Sequence, residues 1–123
     1  MVELGGLELG VLAAIRSIGE GSPGEIHREV RKTRDVAYTS VTTTLYRLVD
    51  KGLVAARRES EKRVYYRIHQ GRAYRKALEG MVDRIVDSFG EAAVSYLIER
   101  PGGLTPEQRS DLAARIADRR KGE

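Results

Sequence analysis

The chain has 123 residues, of which 41% are hydrophobic and 33% charged, a balance that excludes an intrinsically disordered protein and fits a folded, charge-rich one. It contains no Cys, which excludes disulfides and thiolate metal sites and is compatible with a reducing compartment. The start of the chain lacks a basic leader, and the longest apolar run, Val11 to Ile15, is far shorter than the roughly 20 residues of a membrane span. We therefore expect a cytoplasmic protein without a membrane partner.

The net charge of +4 is concentrated in one segment of the chain. Residues 36–70 carry an excess of four positive charges, whereas residues 1–35 have a net charge of −1 and residues 71–123 a net charge of +1. Such a concentration indicates a surface that binds nucleic acid. The alternative is that these Lys and Arg side chains are only solvated.

Two helices are predicted at the start of the chain. Apolar residues recur at helical spacing from about Leu4 to Ile18, and Gly19-Glu20-Gly21 ends that first helix. The sequence Ser22-Pro23-Gly24-Glu25 then predicts a capped helix start, with a Ser at the N-cap, Pro in the first turn and Glu closing a capping box. This second helix should run to about Lys32.

A third helix, over residues 38–51, has an unusual composition. Five of the six residues from Thr39 to Thr44 carry hydroxyl groups, although Thr and Ser are poor helix formers. Small polar side chains let a helix approach the base edges of DNA closely, which predicts a recognition helix. Helical spacing predicts that four residues are buried: Tyr38, Val41, Leu45 and Leu48. The outward residues are then Thr39, Ser40, Thr42, Thr43, Tyr46 and Arg47.

A basic β-hairpin follows this helix. Lys51-Gly52 ends the helix, Leu53 to Arg58 and Arg63 to His69 predict two strands, and residues 59–62 form the turn between them. Three helices closed by such a hairpin make a winged helix, a mainly α fold with a wing of two or three strands. The alternative for the hairpin is a ribbon that supports the fold without touching DNA.

The rest of the chain predicts a helical segment. Apolar residues form a broad stripe from Tyr74 to Phe89, a shorter helix follows Gly90, and Thr105-Pro106-Glu107-Gln108 repeats the start signal of the second helix. We divide the chain into a DNA-binding domain, residues 1–70, and a three-helix dimerisation segment, residues 71–123. The predicted dimerisation residues are Leu78, Met81, Val82, Ile85, Phe89, Val94, Leu97, Ile98, Leu112 and Ile116. The alternative is that these helices fold back on their own winged helix.

Other functions are less well supported by the residues. Tyr65 and Tyr66 could stack on unpaired bases, which would make the chain a single-strand-binding module, and a winged helix can also serve as a protein-docking scaffold. His27 and His69 are the two His, and no nucleophile or metal-ligand motif surrounds them. We therefore expect no catalytic residues, no metal and no cofactor.

The segment from Ala37 to Val54 resembles the penicillinase-repressor family of the BlaI/MecI/CopY type, whose members have a Thr-rich recognition helix leading into Arg-Leu and Lys-Gly. Further similarity lies in Leu9-Gly10-Val11-Leu12, Arg63-Val64-Tyr65-Tyr66 and the segments around Phe89-Gly90-Glu91 and 104–108, so it covers nearly the whole chain. PadR-type regulators share the Arg-Leu and Gly-Leu-Val residues that lead into the wing, and they remain an alternative.

The resemblance implies a homodimeric repressor on a pseudo-palindromic DNA operator. The positions of the family's base contacts fall on Thr39, Ser40, Thr42 and Thr43. Its phosphate contacts fall on Arg47, Arg57, Arg58, Lys62 and Arg63. The chain has no Cys for copper sensing, and Tyr96-Leu97 stands where members switched by proteolysis carry Asn-Phe, so the resemblance leaves the inducing signal open.

Overall fold

Helices and short strands alternate in the computed structural model, which describes residues 4–99, 105–108, 110–111 and 114. The elements up to residue 99 are α1 (Gly6–Ile18), β1 (Glu20–Gly21), α2 (Pro23–Val30), α3 (Tyr38–Asp50), β2 (Val54–Arg58), β3 (Val64–Ile68), α4 (Arg72–Phe89) and α5 (Glu91–Glu99). Three helices are thus followed by a hairpin, β2–β3, and the predicted winged helix is confirmed.

The sheet has three antiparallel strands in the order β1-β3-β2. In the hairpin Ala56 pairs with Tyr66, and on the other side of β3 Glu20 pairs with Arg67. The strand β1 lies where the sequence predicted only the end of the first helix. A strand of two residues is too short for an alternating pattern, and it is defined by its pairing with β3.

One hydrophobic core joins α1, α2, α3 and the base of the hairpin. The largest fully buried side chains in it are Ile15, Ile26, Leu45, Leu48, Leu53, Val11 and Val41. They come from positions three and four apart on the helices, as helical periodicity predicts. The core therefore fixes which side of each helix remains for other contacts.

Local signals set the helix ends. The Ser22 side chain accepts a hydrogen bond from the Glu25 amide at 3.2 Å, and the Glu25 carboxylate accepts one from the Ser22 amide at 3.1 Å, so the predicted capping box is confirmed. Gly19 and Gly52, which follow α1 and α3, have φ angles of 86° and 79°. These left-handed conformations suit Gly because it has no Cβ.

The burial of α3 differs from the prediction at two residues. Tyr38 was expected in the core but is 48% exposed, because it lies in the first turn of α3, where its ring packs against His27. Thr44, which belongs to neither the predicted buried set nor the predicted outward set, is buried at 3% exposure. The side of α3 that faces the core is therefore formed by Val41, Thr44, Leu45 and Leu48.

The chain forms two compact units, one up to Gly80 and one from Met81. The sequence predicts a boundary after residue 70. The first unit extends further because Ala73, Tyr74 and Ala77 at the start of α4 pack against the core of the winged helix.

In the second unit, α4 continues to Phe89 and Gly90 separates it from α5, as expected. Around Thr105, the amide donates to the Gln108 side chain at 3.0 Å and the hydroxyl accepts from the Gln108 amide at 3.1 Å, which confirms the predicted capping box. The predicted dimerisation residues Leu112 and Ile116 lie outside the described residues. Among the described residues, no helix is long and apolar enough to cross a lipid bilayer.

Candidate nucleic-acid interface

The hydroxyl-rich side of α3 faces away from the core. Five of its predicted site residues are exposed and one, Thr42, is half-buried. The exposed ones are Thr39, Ser40, Thr43, Tyr46 and Arg47. The prediction that these side chains point outward is therefore confirmed by their exposure.

Two Thr hydroxyls on α3 are already engaged by the helix backbone. The Thr42 hydroxyl donates to the Thr39 carbonyl at 3.0 Å, and the Thr44 hydroxyl donates to the Ser40 carbonyl at 2.8 Å. Such bonds orient each hydroxyl along the helix. The hydroxyl oxygen of Thr42 can still accept a hydrogen bond from another donor, whereas Thr44 is buried in the core.

The N-terminus of α3 is capped differently from those of α1 and α2. Glu25 closes a capping box on α2, and the Glu8 carboxylate accepts a hydrogen bond from the Gly5 amide at the start of α1. The N-cap of α3 is Ala37, and the first turn of α3 contains no acidic residue. No carboxylate in that turn offsets the partial positive charge of the helix end. The electrostatics of this end therefore favour an anion.

His27 connects α2 to the beginning of α3, a contact that the sequence did not predict. Its Nε2 lies 2.9 Å from the Val36 carbonyl oxygen, and its ring meets the Tyr38 ring edge to face, with 5.7 Å between centroids. The half-buried His27 thus tethers the turn before α3. No local motif marks the contact, because the partners lie nine and eleven residues further along the chain.

The basic residues of the wing are divided between its two faces. Paired residues of antiparallel strands share a face, and successive residues alternate. Val54 of β2 and Tyr66 of β3 are buried in the core and so define the inner face of the wing. Alternate residues of β2 share this face, which places Arg58 on it, at the far end of the strand. Arg57, which pairs with Tyr65, lies on the outer face.

Arg57 is surrounded by other side chains of the outer face. It donates to both oxygens of the Glu20 carboxylate, from Nη2 at 2.7 Å and from Nε at 3.3 Å, and its Nη1 lies 4.0 Å from Glu59. Its guanidinium carbon sits 4.8 Å from the centroid of the Tyr65 ring. The hydrogen bonding between Arg57 and Glu20 raises the pKa of Arg57 and lowers the pKa of Glu20.

Arg58 lies on the inner face of the wing, the face that carries the buried Tyr66. Burial raises the pKa of Tyr66, the phenols of Tyr46 and Tyr38 raise it further, and the positive charge of Arg58 opposes them. Arg58 itself donates to the Glu61 carbonyl at 3.2 Å and remains exposed.

The tip of the wing carries two more cations, Lys62 and Arg63, both exposed. The turn is held by backbone bonds, in which the Glu59 amide donates to the Arg63 carbonyl at 2.8 Å and the Arg63 amide donates to the Ser60 carbonyl at 3.3 Å. A short, hydrogen-bonded turn presents both side chains on a fixed backbone.

The Tyr residues of the wing are poorly placed for stacking on bases. Tyr66 is 6% exposed, and Tyr65 is half-buried under the guanidinium of Arg57. Within the described part of the chain, no cluster of three His, Asp or Glu side chains could hold a metal ion.

The second unit has an apolar groove of about 420 Å³ between α4 and α5. Its lining residues are Ile85, Phe89, Ala92, Ala93, Tyr96 and Leu97. Phe89 is 72% exposed and Tyr96 66% exposed, which is unusual for large aromatic side chains in water. Of the other predicted dimerisation residues, Leu78 is exposed, and Met81, Val82, Val94 and Ile98 are half-buried.

The chain is similar to a protein family and to solved structures. The family model for penicillinase repressors matches residues 4–118. BpsR of Bordetella bronchiseptica, whose DNA binding is regulated by 6-hydroxynicotinic acid, has a similar fold, with a TM-score of 0.52 and 20% identity over 98% of this chain and 80% of its own. A MarR family transcriptional regulator from Silicibacter pomeroyi is 16% identical, with a TM-score of 0.49 over 95% of this chain and 70% of its own. No curated protein matches the chain.

Proposed function

Because the chain belongs to the penicillinase-repressor family of DNA-binding transcriptional regulators, we propose that it represses transcription as a homodimer bound to a pseudo-palindromic operator. The observation that carries this proposal is the exposed hydroxyl-rich side of α3, which lies opposite the fully buried Val41, Leu45 and Leu48. A helix with one side fixed in the core and small polar groups on the other fits the major groove of double-stranded DNA.

In the proposed complex, α3 reads the base edges. The proposed base contacts are Thr39, Ser40, Thr42 and Thr43, with Tyr46 at the edge of the same surface. A hydroxyl can donate to or accept from a base, and a Thr methyl can contact a thymine methyl. Because each Thr contact is weaker than a bidentate pair, sequence choice depends on several of them together.

The proposed phosphate contacts are Arg47 at the C-terminal half of α3, Arg58 on the inner face of the wing, and Lys62 and Arg63 at its tip. Phosphate contacts fix the register of a protein on the duplex and supply affinity that does not depend on sequence. The exposure of all four side chains supports this assignment. Arg57, which the resemblance included, lies on the outer face with Glu20.

The second unit supplies the proposed dimer interface. Among the described residues, the groove around Phe89 and Tyr96 is left exposed, and the same groove of a second copy would bury both surfaces about a twofold axis. In such a dimer the two α3 helices would lie about one turn of DNA apart, roughly 34 to 36 Å or a multiple of it.

Selection of bound duplexes from a random pool tests the proposal, because it reports the half-site sequence and its symmetry together. We expect enrichment of two inverted half-sites, and light scattering should give the mass of a dimer. A selected site without internal symmetry, or enrichment of no duplex, would contradict the proposal. Competition between the selected duplex and single-stranded RNA distinguishes the proposed function from the single-strand-binding alternative. A footprint on the selected duplex locates both half-sites.

A further inference from the structure

We propose that Glu20 is a positioning residue, which holds Arg57 on the outer face of the wing and thereby limits the affinity of the protein for DNA of any sequence. The inference rests on the proposed function, since it concerns how the wing meets the phosphate backbone. It assigns a role in DNA recognition to an acidic residue that is far from the recognition helix in the chain.

The strand pairing brings the two residues together. Glu20 lies in β1 opposite Arg67 of β3, and Arg57 lies in β2 opposite Tyr65 of β3. Tyr65 and Arg67 are two residues apart and therefore share the outer face. The Glu20 side chain reaches diagonally across β3 and accepts hydrogen bonds from Nη2 and Nε of Arg57 at 2.7 and 3.3 Å.

The guanidinium of Arg57 is occupied on several sides. One edge meets the two oxygens of Glu20, Nη1 lies 4.0 Å from Glu59, and one face lies over the Tyr65 ring. Arg recognises phosphate through the same planar fork of N–H groups that it uses for a carboxylate. A guanidinium whose fork is taken by Glu20 is therefore not available to phosphate.

Stability alone is a weak reason for this ion pair. The side chains of Arg57 and Glu20 are 51% and 33% exposed, and ion pairs between exposed groups contribute little to folding because water and salt screen them. The same pair has a direct consequence for DNA binding. It removes one of the positive charges of the wing and adds a carboxylate beside it.

A phosphate contact adds the same free energy to binding of random DNA and of the operator, because it does not depend on sequence. By withholding one such contact, Glu20 would lower both affinities by the same factor and leave the preference between them unchanged. The lower sequence-independent affinity limits how much of the protein is bound to random DNA at a given concentration. Glu20 would act in this way without touching DNA.

The test is Glu20→Gln in the full chain, which keeps the size of the side chain and removes its charge. We expect tighter binding to a random duplex and a plot of log affinity against log salt that is steeper by about 0.9, the effect of one added phosphate contact. Between about 50 and 200 mM salt, this corresponds to a roughly threefold larger loss of affinity than in the wild type. Binding to the selected duplex should tighten by a similar factor, so the preference for it over the random one should stay nearly the same.

Two matched variants separate release of Arg57 from a general change of charge. Glu99→Gln changes the net charge equally at an exposed position at the end of α5, outside the wing, and it should leave the salt dependence nearly unchanged. Glu20→Gln combined with Arg57→Ala should lose the gain. A gain that persists in the double variant, or an equal gain in Glu99→Gln, would overturn the proposal.

Glu20→Ala, measured in parallel, should show the same gain as Glu20→Gln, and thermal unfolding confirms that each variant is folded. Unchanged or weaker binding by both folded variants refutes the inference. If the wild type selects a duplex while neither variant binds random DNA more tightly, the inference fails and the proposed function stands. If the wild type binds no duplex, the proposed function itself fails.

Discussion

Thr43 and Thr44 are neighbours in α3, but Thr43 is exposed whereas Thr44 is buried at 3% exposure and donates its hydroxyl to the Ser40 carbonyl at 2.8 Å. The two residues have the same intrinsic helix propensity, so differences between their variants report on their surroundings. One position belongs to the proposed DNA surface and the other to the core. They therefore form a matched pair for mutagenesis.

Thr43→Ala should relax sequence choice and slightly stabilise the fold. Ala is a better helix former than Thr by roughly 0.5 kcal/mol, and an exposed Thr contributes little packing to offset that difference. The lost base contact should reduce the preference for the selected duplex by a free energy of about 1 kcal/mol. Melting curves and competition between selected and random duplexes measure the two effects.

Thr44→Ala should have the opposite profile. It removes a buried methyl and a buried hydrogen bond, so the free energy of unfolding should fall by about 1 kcal/mol after the gain in helix propensity is included. Sequence preference of the folded protein should not change. Equal losses of affinity for selected and random duplexes in Thr43→Ala, or relaxed sequence choice in Thr44→Ala, would contradict the assignment of these two positions.

Arg58→Ala should weaken binding to every duplex. Arg58 lies on the inner face of the wing together with Tyr66, so its loss should remove one phosphate contact. The plot of log affinity against log salt should then be less steep by about 0.9. Arg67→Ala is the matched control, because Arg67 lies on the outer face of the central strand β3, unlike Arg57 in the edge strand β2, and it should change the slope far less. Similar slopes for the two variants would show that position in the sheet does not decide which Arg meets DNA.

The Glu8–Lys51 ion pair should make the fold sensitive to acid. Burial alone would raise the pKa of Glu8. Hydrogen bonds from Lys51, at 2.6 Å, and from the Gly5 amide act in the opposite direction, as do the charges of Lys51 and Arg47. Together they outweigh burial, and the pKa of Glu8 is lowered from its ordinary value of 4.5. A lowered pKa stabilises the folded state above the ordinary value. That contribution is lost as the pH falls through the lower pKa of the folded state.

Glu8→Gln should therefore lose less stability than the wild type on acidification from about pH 6 to about pH 3. Urea unfolding at both pH values measures the difference. Glu99→Gln, at an exposed position at the end of α5, is the control and should follow the wild type. Parallel pH dependence of wild type and Glu8→Gln would refute a stabilising role for the ion pair.

The sequence predicts features that depend on local periodicity and misses those that depend on pairing. Helical spacing was enough to predict that Val41, Leu45 and Leu48 face the core and that Thr43 faces outward, because these positions repeat every three or four residues. It failed for Tyr38, since a residue in the first turn can pack on a neighbouring side chain instead of the core.

The wing illustrates the same limit. Alternation along β2 already places Arg57 and Arg58 on opposite faces, a signal that charge counting overlooks. The contact of Arg57 with Glu20 joins residues that are 37 positions apart, and the two-residue strand β1 that brings Glu20 there has no pattern of its own. Long-range pairing of this kind follows from the folded sheet and not from local composition.

The last prediction concerns Phe89, which is 72% exposed at the edge of the apolar groove. Phe89→Asp should place a charge in the proposed interface between two copies, where burying an unpaired carboxylate is costly. The wild type should be a dimer at micromolar concentration, and the variant should be largely monomeric by light scattering. Since a monomer engages one half-site, its affinity for the full operator should fall by at least about a hundredfold.

Ser88→Asp introduces the same charge at the adjacent exposed position, outside the residues that line the groove, and should remain dimeric. Thermal unfolding of the winged helix should be similar in the two variants, because neither residue belongs to its core. A dimeric Phe89→Asp would place the interface elsewhere, and a monomeric wild type would contradict the homodimer. Loss of operator binding without loss of dimer mass would show that Phe89 acts on DNA binding by another route.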